Sequence, residues 1–268
     1  LLEPPRKTRP RGRIVLTTVN ALVQRVPPRA VFEGAVLSLA KGGRVSPEGL
    51  VAFLEANGYG RAGTVMEPCE YALRGGIIDL WPAGEPGPVR LDLFGDEIES
   101  LKRFDPDTQR SAEALTGLRL RPVGEVFLDA ASIERFRTGW RELFGAAAAE
   151  DPIYVSVSAG RRHPGMEHWA GLFHARMETL LDYLPGVSAS LDHQAEEALA
   201  ARLEMIEDHY QTRRNPPRGE ETPYRPAPPA RLYLSRAEWD AMLSAVPLFR
   251  FAPFAADGAV DAGGRPGR

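Results

Sequence analysis

Apolar and polar side chains alternate with period two along neighbouring segments near the middle of the chain, and this pattern constrains the fold more than any other feature. The alternation is found at residues 71–74 and 89–94, and a further apolar segment follows at 98–104. Such alternation is typical of antiparallel strands that bury one face. The glycine pair 75–76 predicts a bulge or bend, and the proline-rich segment 82–88 predicts a loop. The sequence therefore predicts an antiparallel β-meander.

A helix is predicted shortly before this meander. Ser46 is followed by proline and glutamate, which together favour a capped helix start. Leu50, Phe53 and Leu54 then share one face of the helix, and Asn57 is expected to end it.

From about residue 118 onward, helical patterns alternate with short apolar segments, which predicts an α/β layer. Helix starts are expected at Ser132, Asp192 and Ser235. Strands are expected at 180–184, 187–191 and 232–234, and a proline-rich loop near 213–229. The segment 153–158 stays open, because its β-branched residues favour a strand whereas its position between helices favours another helix.

The start of the chain is expected to be the end of a domain that begins earlier. The run 14–18 predicts a strand, and 21–25 predicts a short helix before two prolines. A single strand and helix cannot bury their own apolar faces. We therefore expect a fragment in which residues 1–28 are the tail of an incomplete domain.

Cysteine content and hydropathy indicate the compartment. The single cysteine, Cys69, excludes an internal disulfide and a zinc site built on cysteine pairs, and it fits a reducing environment. No apolar run approaches the roughly 18 residues of a membrane span, and the chain starts with a basic, proline-rich segment. A cytoplasmic protein with no membrane partner is expected.

The charge balance argues against a general nucleic-acid coat, because the formal net charge is -3. One local basic cluster stands at the start of the chain and comprises Arg6, Lys7, Arg9, Arg11 and Arg13. Contact with phosphates or an acidic partner is one interpretation of this cluster, and a solvated connecting segment is the other.

No pattern in the chain predicts an enzyme. The segment 58–63 matches G-x-G-x-x-G, but it follows a helix and precedes a strand, which is the reverse of a dinucleotide site. A phosphate-binding G-x-x-x-x-G-K-[ST] sequence is absent. His163, His168 and His174 are spaced so that a helix would scatter them, which argues against a metal site with Glu167. We therefore expect no catalytic residue, no metal and no cofactor.

Arginines on the meander are the remaining functional candidates. Arg61 precedes the meander, Arg74 stands at the glycine bend, and Arg90 shares a strand face with Asp92. Arginine pairs bidentately with carboxylates and is enriched at binding hot spots, and the nearby Trp81 supplies an aromatic side chain. From this pattern alone, a docking surface and a merely solvated strand face are equally good interpretations.

Longer sequence words resemble a known family. They include Tyr-Ala-Leu-Arg-Gly-Gly-Ile-Ile-Asp-Leu-Trp-Pro at 71–82, Phe-Gly-Asp-Glu-Ile-Glu at 94–99 and Asp-Pro-Asp-Thr-Gln-Arg at 105–110. In this order the words closely resemble the amino-terminal module of the bacterial transcription-repair coupling factors (Mfd), which is itself similar to the excinuclease subunit UvrB. The chain departs from that family at Trp81, where phenylalanine is usual, and at Cys69, where a small residue such as glycine is usual.

The resemblance implies an α/β (α+β) architecture with a split, degenerate RecA-like domain and a small inserted domain. Residues 1–28 would be the tail of the first part of the split domain, 29–117 the inserted domain, and 118–268 the second part. The inserted domain of the family docks UvrA, and by motif Arg61, Arg74, Arg90 and Asp92 are implied as contacts, with Trp81 as their aromatic neighbour.

For function, the resemblance implies a non-catalytic adaptor that links UvrA, and with it nucleotide excision repair, to a stalled RNA polymerase. In the full-length family protein, ATP-driven translocation and the contacts with RNA polymerase and double-stranded DNA lie in other domains. Two alternatives stay open at this point. One is a part of an active UvrB-type DNA-dependent ATPase, and the other is direct DNA binding through the basic start.

Overall fold

The computed structural model describes residues 12–215 and 224–253. Its helices are α1 (Val19–Leu22), α2 (Arg29–Gly34), α3 (Pro47–Ala56), α4 (Ala130–Phe144), α5 (Pro152–Ser158), α6 (Ala195–Arg214) and α7 (Arg236–Ser244). Its strands are β1 (Leu37–Ala40), β2 (Gly60–Arg61), β3 (Glu70–Arg74), β4 (Ile77–Leu80), β5 (Val89–Phe94), β6 (Glu97–Phe104), β7 (Ser111–Ala114), β8 (Gly117–Leu120), β9 (Ala189–Leu191) and β10 (Leu248–Arg250). The α+β class is confirmed, whereas the RecA-like character of the split domain stays a prediction.

The chain divides into two compact units. One contains the residues up to Val26 together with those from Met177 onward, and the other contains Pro27–Arg176. The division predicted from the sequence lay at 28 and 117. The unit extends beyond 117 because β8 pairs with β1, and because Arg162 donates hydrogen bonds to the backbone oxygens of Ala56 (3.3 Å) and Val126 (2.9 Å). The domain assignment by family stays a prediction.

A six-stranded sheet in the order β2-β3-β4-β5-β6-β7 dominates the unit Pro27–Arg176. Neighbouring strands from β3 to β7 are antiparallel, so the predicted meander is confirmed, and β2 adds to its edge in parallel. Gly75, at φ +62°, and Gly76 join β3 to β4, and this glycine pair forms a two-residue hairpin turn rather than a bulge.

One side of this sheet forms the core of the unit, and α3 packs against it. Ser46 caps α3 by accepting a hydrogen bond from the Gly49 N–H (3.0 Å), as predicted. Leu50 and Leu54 are fully buried, and Phe53 packs at the edge of the same cluster. The sheet contributes buried residues that include Tyr71, Ile78, Leu80, Leu91, Ile98 and Leu101.

Helices α4 and α5 belong to an aromatic cluster in the same unit. The Trp140 ring centroid lies 5.3 Å from that of Phe136 and 5.5 Å from that of Trp169. The predicted cap of α4 is wrong: Asp129 accepts from the Ser132 N–H (2.8 Å), so the helix begins three residues earlier and Ser132 lies buried within it. The open segment 153–158 is helical, with Asp151 as its cap.

Several predictions that the structure contradicts fall in the other unit, which contains the residues up to Val26 and those from Met177 onward. The predicted strand at 14–18 is wrong, because these residues pair with no strand of the described ranges and Leu16 is 91% exposed. The strand predicted at 180–184 is wrong, because Leu180–Tyr183 forms a 3-10 helix. The Asp182 carboxylate accepts from the N–H (2.7 Å) and hydroxyl (2.8 Å) of Thr179 and closes the turn. The segment 232–234 makes a single bridge, between Tyr233 and Gln24.

Two helices pack in that unit beside a short parallel sheet. The predicted strand at 187–191 is found as β9, which pairs with the unpredicted β10. Helix α6 begins at Ala195 without a side-chain cap, so Asp192 is not its cap. The capping box of α7 is confirmed, and hydrogen bonds from Ser235 together with Arg25 lower the pKa of Glu238 to about 2.

Some predicted features lie outside the described residues. These are Arg6, Lys7, Arg9 and Arg11 of the basic cluster, residues 216–223 of the proline-rich loop, and the glycine-rich end of the chain.

Cys69 occupies the turn before β3 with φ +69°, a left-handed conformation that glycine adopts without strain. Cys69, which stands where the resembled family usually has a small residue such as glycine, therefore keeps the turn but holds a strained backbone conformation. We expect Cys69→Val to lower the free energy of unfolding by about 1–2 kcal/mol, because a β-branched side chain tolerates positive φ poorly. Cys69→Gly should change it by less than about 1 kcal/mol, since relieved strain offsets lost packing. Urea titrations of both variants measure this difference, and equal stabilities would contradict it.

Candidate docking surface

The candidate residues lie on the six-stranded sheet, whose side opposite the α3 core we call the outer face. Register across the strands arranges its side chains in rows. One row comprises Arg74, Ile77, Asp92 and Ser100, which are cross-strand partners in that order. The next row comprises Ala72, Asp79, Arg90 and Lys102. Cross-strand partners point to the same side of a sheet, so three of the predicted residues, Arg74, Arg90 and Asp92, share the outer face.

Arg90 is bound within the sheet rather than free to contact a partner. Its Nε and Nη2 donate to the two carboxylate oxygens of Asp79 at 2.7 and 2.9 Å, and its guanidinium lies 4.8 Å from the centroid of the Phe104 ring. Its Nη1 also donates to the backbone oxygen of Gln109 (3.3 Å). The hydrogen bond with Asp79 is the main cause that raises the pKa of Arg90. The ion-pair partner of Arg90 is therefore Asp79, and not Asp92.

Asp92 occupies the neighbouring row and has a different partner. Its carboxylate accepts a hydrogen bond from the Ser100 hydroxyl on the adjacent strand. Its negative charge contributes to the raised pKa of Arg90 only after Asp79. Asp92 thus presents a partly exposed carboxylate that a neutral hydroxyl orients.

Arg74 is the exposed arginine of the outer face. Its Nη2 donates to the backbone oxygen of Gly63 (2.7 Å) and to the Thr64 hydroxyl (2.6 Å). These neutral acceptors hold the guanidinium in place, and no acidic side chain within residues 12–215 or 224–253 forms an ion pair with it. Arg74 therefore combines a defined position with an available positive charge.

Arg61 lies apart from these residues. It pairs with Tyr71 in the parallel β2–β3 contact, and so it lies on the side of the sheet that carries the core. Burial and the hydrogen bond to Glu55 raise the pKa of Tyr71 to about 12, and the positive charge of Arg61 acts in the opposite direction. Within the described ranges the Arg61 side chain makes no hydrogen bond or ion pair. The fold therefore does not bring all the predicted arginines together.

Trp81 directly follows β4 and is half-buried. Its indole N–H donates to the backbone oxygen of Glu85 (3.1 Å), and its ring packs against a small cluster of Val65, Ala72 and Phe104. The Trp81 ring thus packs against the loop that follows β2, through Val65, and against the sheet, through Ala72 and Phe104.

The turn 105–110 supports the same face, and its role was not predicted. Asp105 accepts from the N–H (2.7 Å) and hydroxyl (2.9 Å) of Thr108, which lowers the pKa of Asp105. Gln109, at φ +59°, donates from its side chain to the backbone oxygens of Pro106 (2.6 Å) and Val65 (3.3 Å). The turn thus connects the loop after β2 to Arg90.

Two structural features bear on other kinds of site. Among residues 12–215 and 224–253, no group of three or more His, Cys, Asp and Glu side chains is arranged to hold a metal ion. No helix in this described part is both long and apolar enough to cross a membrane.

Comparisons with known proteins connect this surface to a family. Residues 37–125, which contain the whole sheet, match the family described as UvrB interaction domain. The chain is 35% identical over 241 residues to the transcription-repair-coupling factor of Haemophilus influenzae, covering 89% of the chain and 20% of that protein. It is 40% identical over 173 residues to that of Escherichia coli K12, covering 64% of the chain and 15% of the relative. The chain therefore spans about a fifth or less of the length of these curated relatives.

Proposed function

The chain belongs to the family of transcription-repair-coupling factors and carries a UvrB interaction domain at residues 37–125, and on this premise we propose that it is a non-catalytic adaptor that binds UvrA. In this proposal, binding recruits nucleotide excision repair to a stalled RNA polymerase in the cytoplasm. ATP-driven translocation and the contacts with RNA polymerase and double-stranded DNA are assigned to other parts of the full-length protein.

The observation that carries this proposal is the composition of the outer face within the matched residues. Arg74 is exposed, held by neutral acceptors and uncompensated in charge, and Asp92 stands two strands away in the same row. A positioned arginine loses little side-chain entropy on binding and pairs well with a carboxylate. The outer face is therefore suited to a protein partner with acidic side chains, and residues 29–117 are assigned as the docking part.

The curated relatives bear on the alternative of a UvrB-type ATPase. The relatives from Haemophilus influenzae and Escherichia coli described above carry the name transcription-repair-coupling factor, which favours the adaptor.

Titration of UvrA with the chain tests the adaptor function directly. Saturable binding is expected from the wild-type chain, and its absence would overturn the proposal.

A substitution of Arg61 tests whether the docking surface extends beyond the outer face to the edge of the sheet at β2. We expect Arg61→Ala to weaken UvrA binding by about tenfold, with a change in association rate, as is typical of a rim charge. The free energy of unfolding should stay unchanged, because Arg61 makes no hydrogen bond within the described ranges. Arg119→Ala on β8, also an exposed arginine, is the matched control. Unchanged affinity in Arg61→Ala would confine the docking surface to the outer face.

A further inference from the structure

The outer face carries two exposed apolar side chains that the sequence patterns did not single out. Phe94, at the end of β5, is 76% exposed, and Ile77, at the start of β4, is 36% exposed. Leu93 packs against the core on the other side of the sheet, so the adjacent Phe94 points to the outer face. Single exposed apolar residues are common on proteins, and their position decides whether they matter.

Phe94 and Ile77 are neighbours across the β4–β5 pair. Ile77 is the register partner of Asp92, and Phe94 follows Asp92 by two residues on the same strand. Such diagonal neighbours lie about 7–8 Å apart at their Cα atoms, which is within reach of an aromatic ring. The two side chains therefore form one apolar patch, which Asp92 borders.

The charges around this patch indicate what fits it. Arg74 is the other register partner of Ile77, and Lys102 lies in the next row beside Arg90. Lys102 makes no ion pair with any residue of the described ranges. Arg90 is neutralised by Asp79, so Arg74 and Lys102 contribute the positive charges of this face. Asp92 and Glu97, which is the register partner of Phe94, contribute two negative charges. Positive charge therefore borders the patch on the Arg74 side and negative charge on the Glu97 side, which fits an apolar side chain of a partner with a carboxylate directed toward Arg74.

We propose that Phe94 and Ile77 form the apolar anchor of the UvrA-docking surface, and that they receive an apolar side chain of UvrA whose acidic neighbour contacts Arg74. This inference rests on the proposed function and adds residues to it. Aromatic anchors beside arginine dominate the affinity of many interfaces, because they exclude water from the surrounding polar contacts. The charged residues of the outer face then contribute orientation and association rate, while the apolar anchor sets the dissociation rate.

Substitution at Phe94 tests the anchor with the whole chain. Phe94→Ala should weaken UvrA binding by about 10- to 30-fold, mainly through faster dissociation. Its thermal unfolding should match the wild type, because the side chain is exposed. Ile77→Thr, which keeps the branched β-carbon, should weaken binding by about threefold to tenfold. Phe249→Ala is the matched control, since Phe249 is 59% exposed but belongs to the other unit.

The binding results distinguish a failure of the proposed anchor from a failure of the proposed function. Wild-type binding with affinities within about twofold for both Phe94→Ala and Ile77→Thr would overturn the anchor and leave the adaptor function standing. Failure of the wild-type chain to bind UvrA would overturn the function and the anchor together.

Discussion

Replacing Arg90 by alanine is expected to lower the free energy of unfolding of the unit Pro27–Arg176 by about 3 kcal/mol. The reason is that Asp79 is only 2% exposed and would keep a buried carboxylate without its bidentate partner. Breaking a buried ion pair commonly costs about 3–5 kcal/mol, and the lower end applies because the Arg90 side chain is 19% exposed and its partner can recruit water. The variant also loses the contact between the guanidinium and the Phe104 ring.

Urea unfolding of Arg90→Ala measures this loss, and Asp92→Ala is the control on the same strand. In the part of the chain that the structure describes, Asp92 accepts only from the Ser100 hydroxyl, so its removal should cost about 1 kcal/mol or less. A double-mutant cycle between Asp79→Ala and Arg90→Ala should show a coupling of about 1–3 kcal/mol. Equal costs for Arg90→Ala and Asp92→Ala would refute a structural role for Arg90.

This expectation changes the meaning of a binding defect at Arg90. The family resemblance implies Arg90 and Asp92 as a contact pair, whereas the structure binds Arg90 to Asp79 and to the backbone of Gln109. Lost UvrA binding in an Arg90 variant would then reflect a disturbed outer face as much as a lost contact. Its role as a contact stays a prediction that only a folded variant can test.

Local sequence patterns predicted well those elements that local interactions determine. Alternation identified β3 and β5, an apolar segment identified β6, and the caps at Ser46 and Ser235 were correct because each stands alone before a helical pattern. The cap at Ser132 was wrong because Asp129 competes for the same helix start. The strand at 14–18 failed because β-propensity forms a strand only where a neighbouring strand is present.

The site was partly predictable for a related reason. Period-two alternation places Arg90 and Asp92 on one face of a strand. Which residues meet across strands depends on the register, and the spacing of residues along the chain does not reveal the register. Register brings Asp79 to Arg90 and Ile77 to Asp92. Arg61 falls on the other side because β2, only two residues long, joins the sheet in parallel. The sequence did contain a signal for the proposed anchor, because Phe94 is an apolar residue on the polar side of an alternating strand.

Reversing the charge of Arg74 is expected to weaken UvrA binding by about 100-fold. A glutamate at this position would face the carboxylates that the outer face is proposed to receive, and like charges in an interface cost several kcal/mol. The fold should tolerate Arg74→Glu, because Arg74 is exposed and its acceptors, Gly63 and Thr64, lie in a loop that water reaches.

Calorimetric titration at two salt concentrations measures this loss and separates its causes. Arg119→Glu, which makes the same charge change at an exposed position of β8, is the matched control and should bind UvrA with an affinity within about threefold of the wild type. Arg74→Lys keeps the charge but not the bidentate fork, so it should fall between the wild type and Arg74→Glu. Equal weakening by Arg74→Glu and Arg119→Glu would mean that net charge, rather than the outer face, governs the association. A loss confined to Arg74 and reduced at high salt would place a carboxylate of UvrA at this end of the row that Arg74 forms with Ile77 and Asp92.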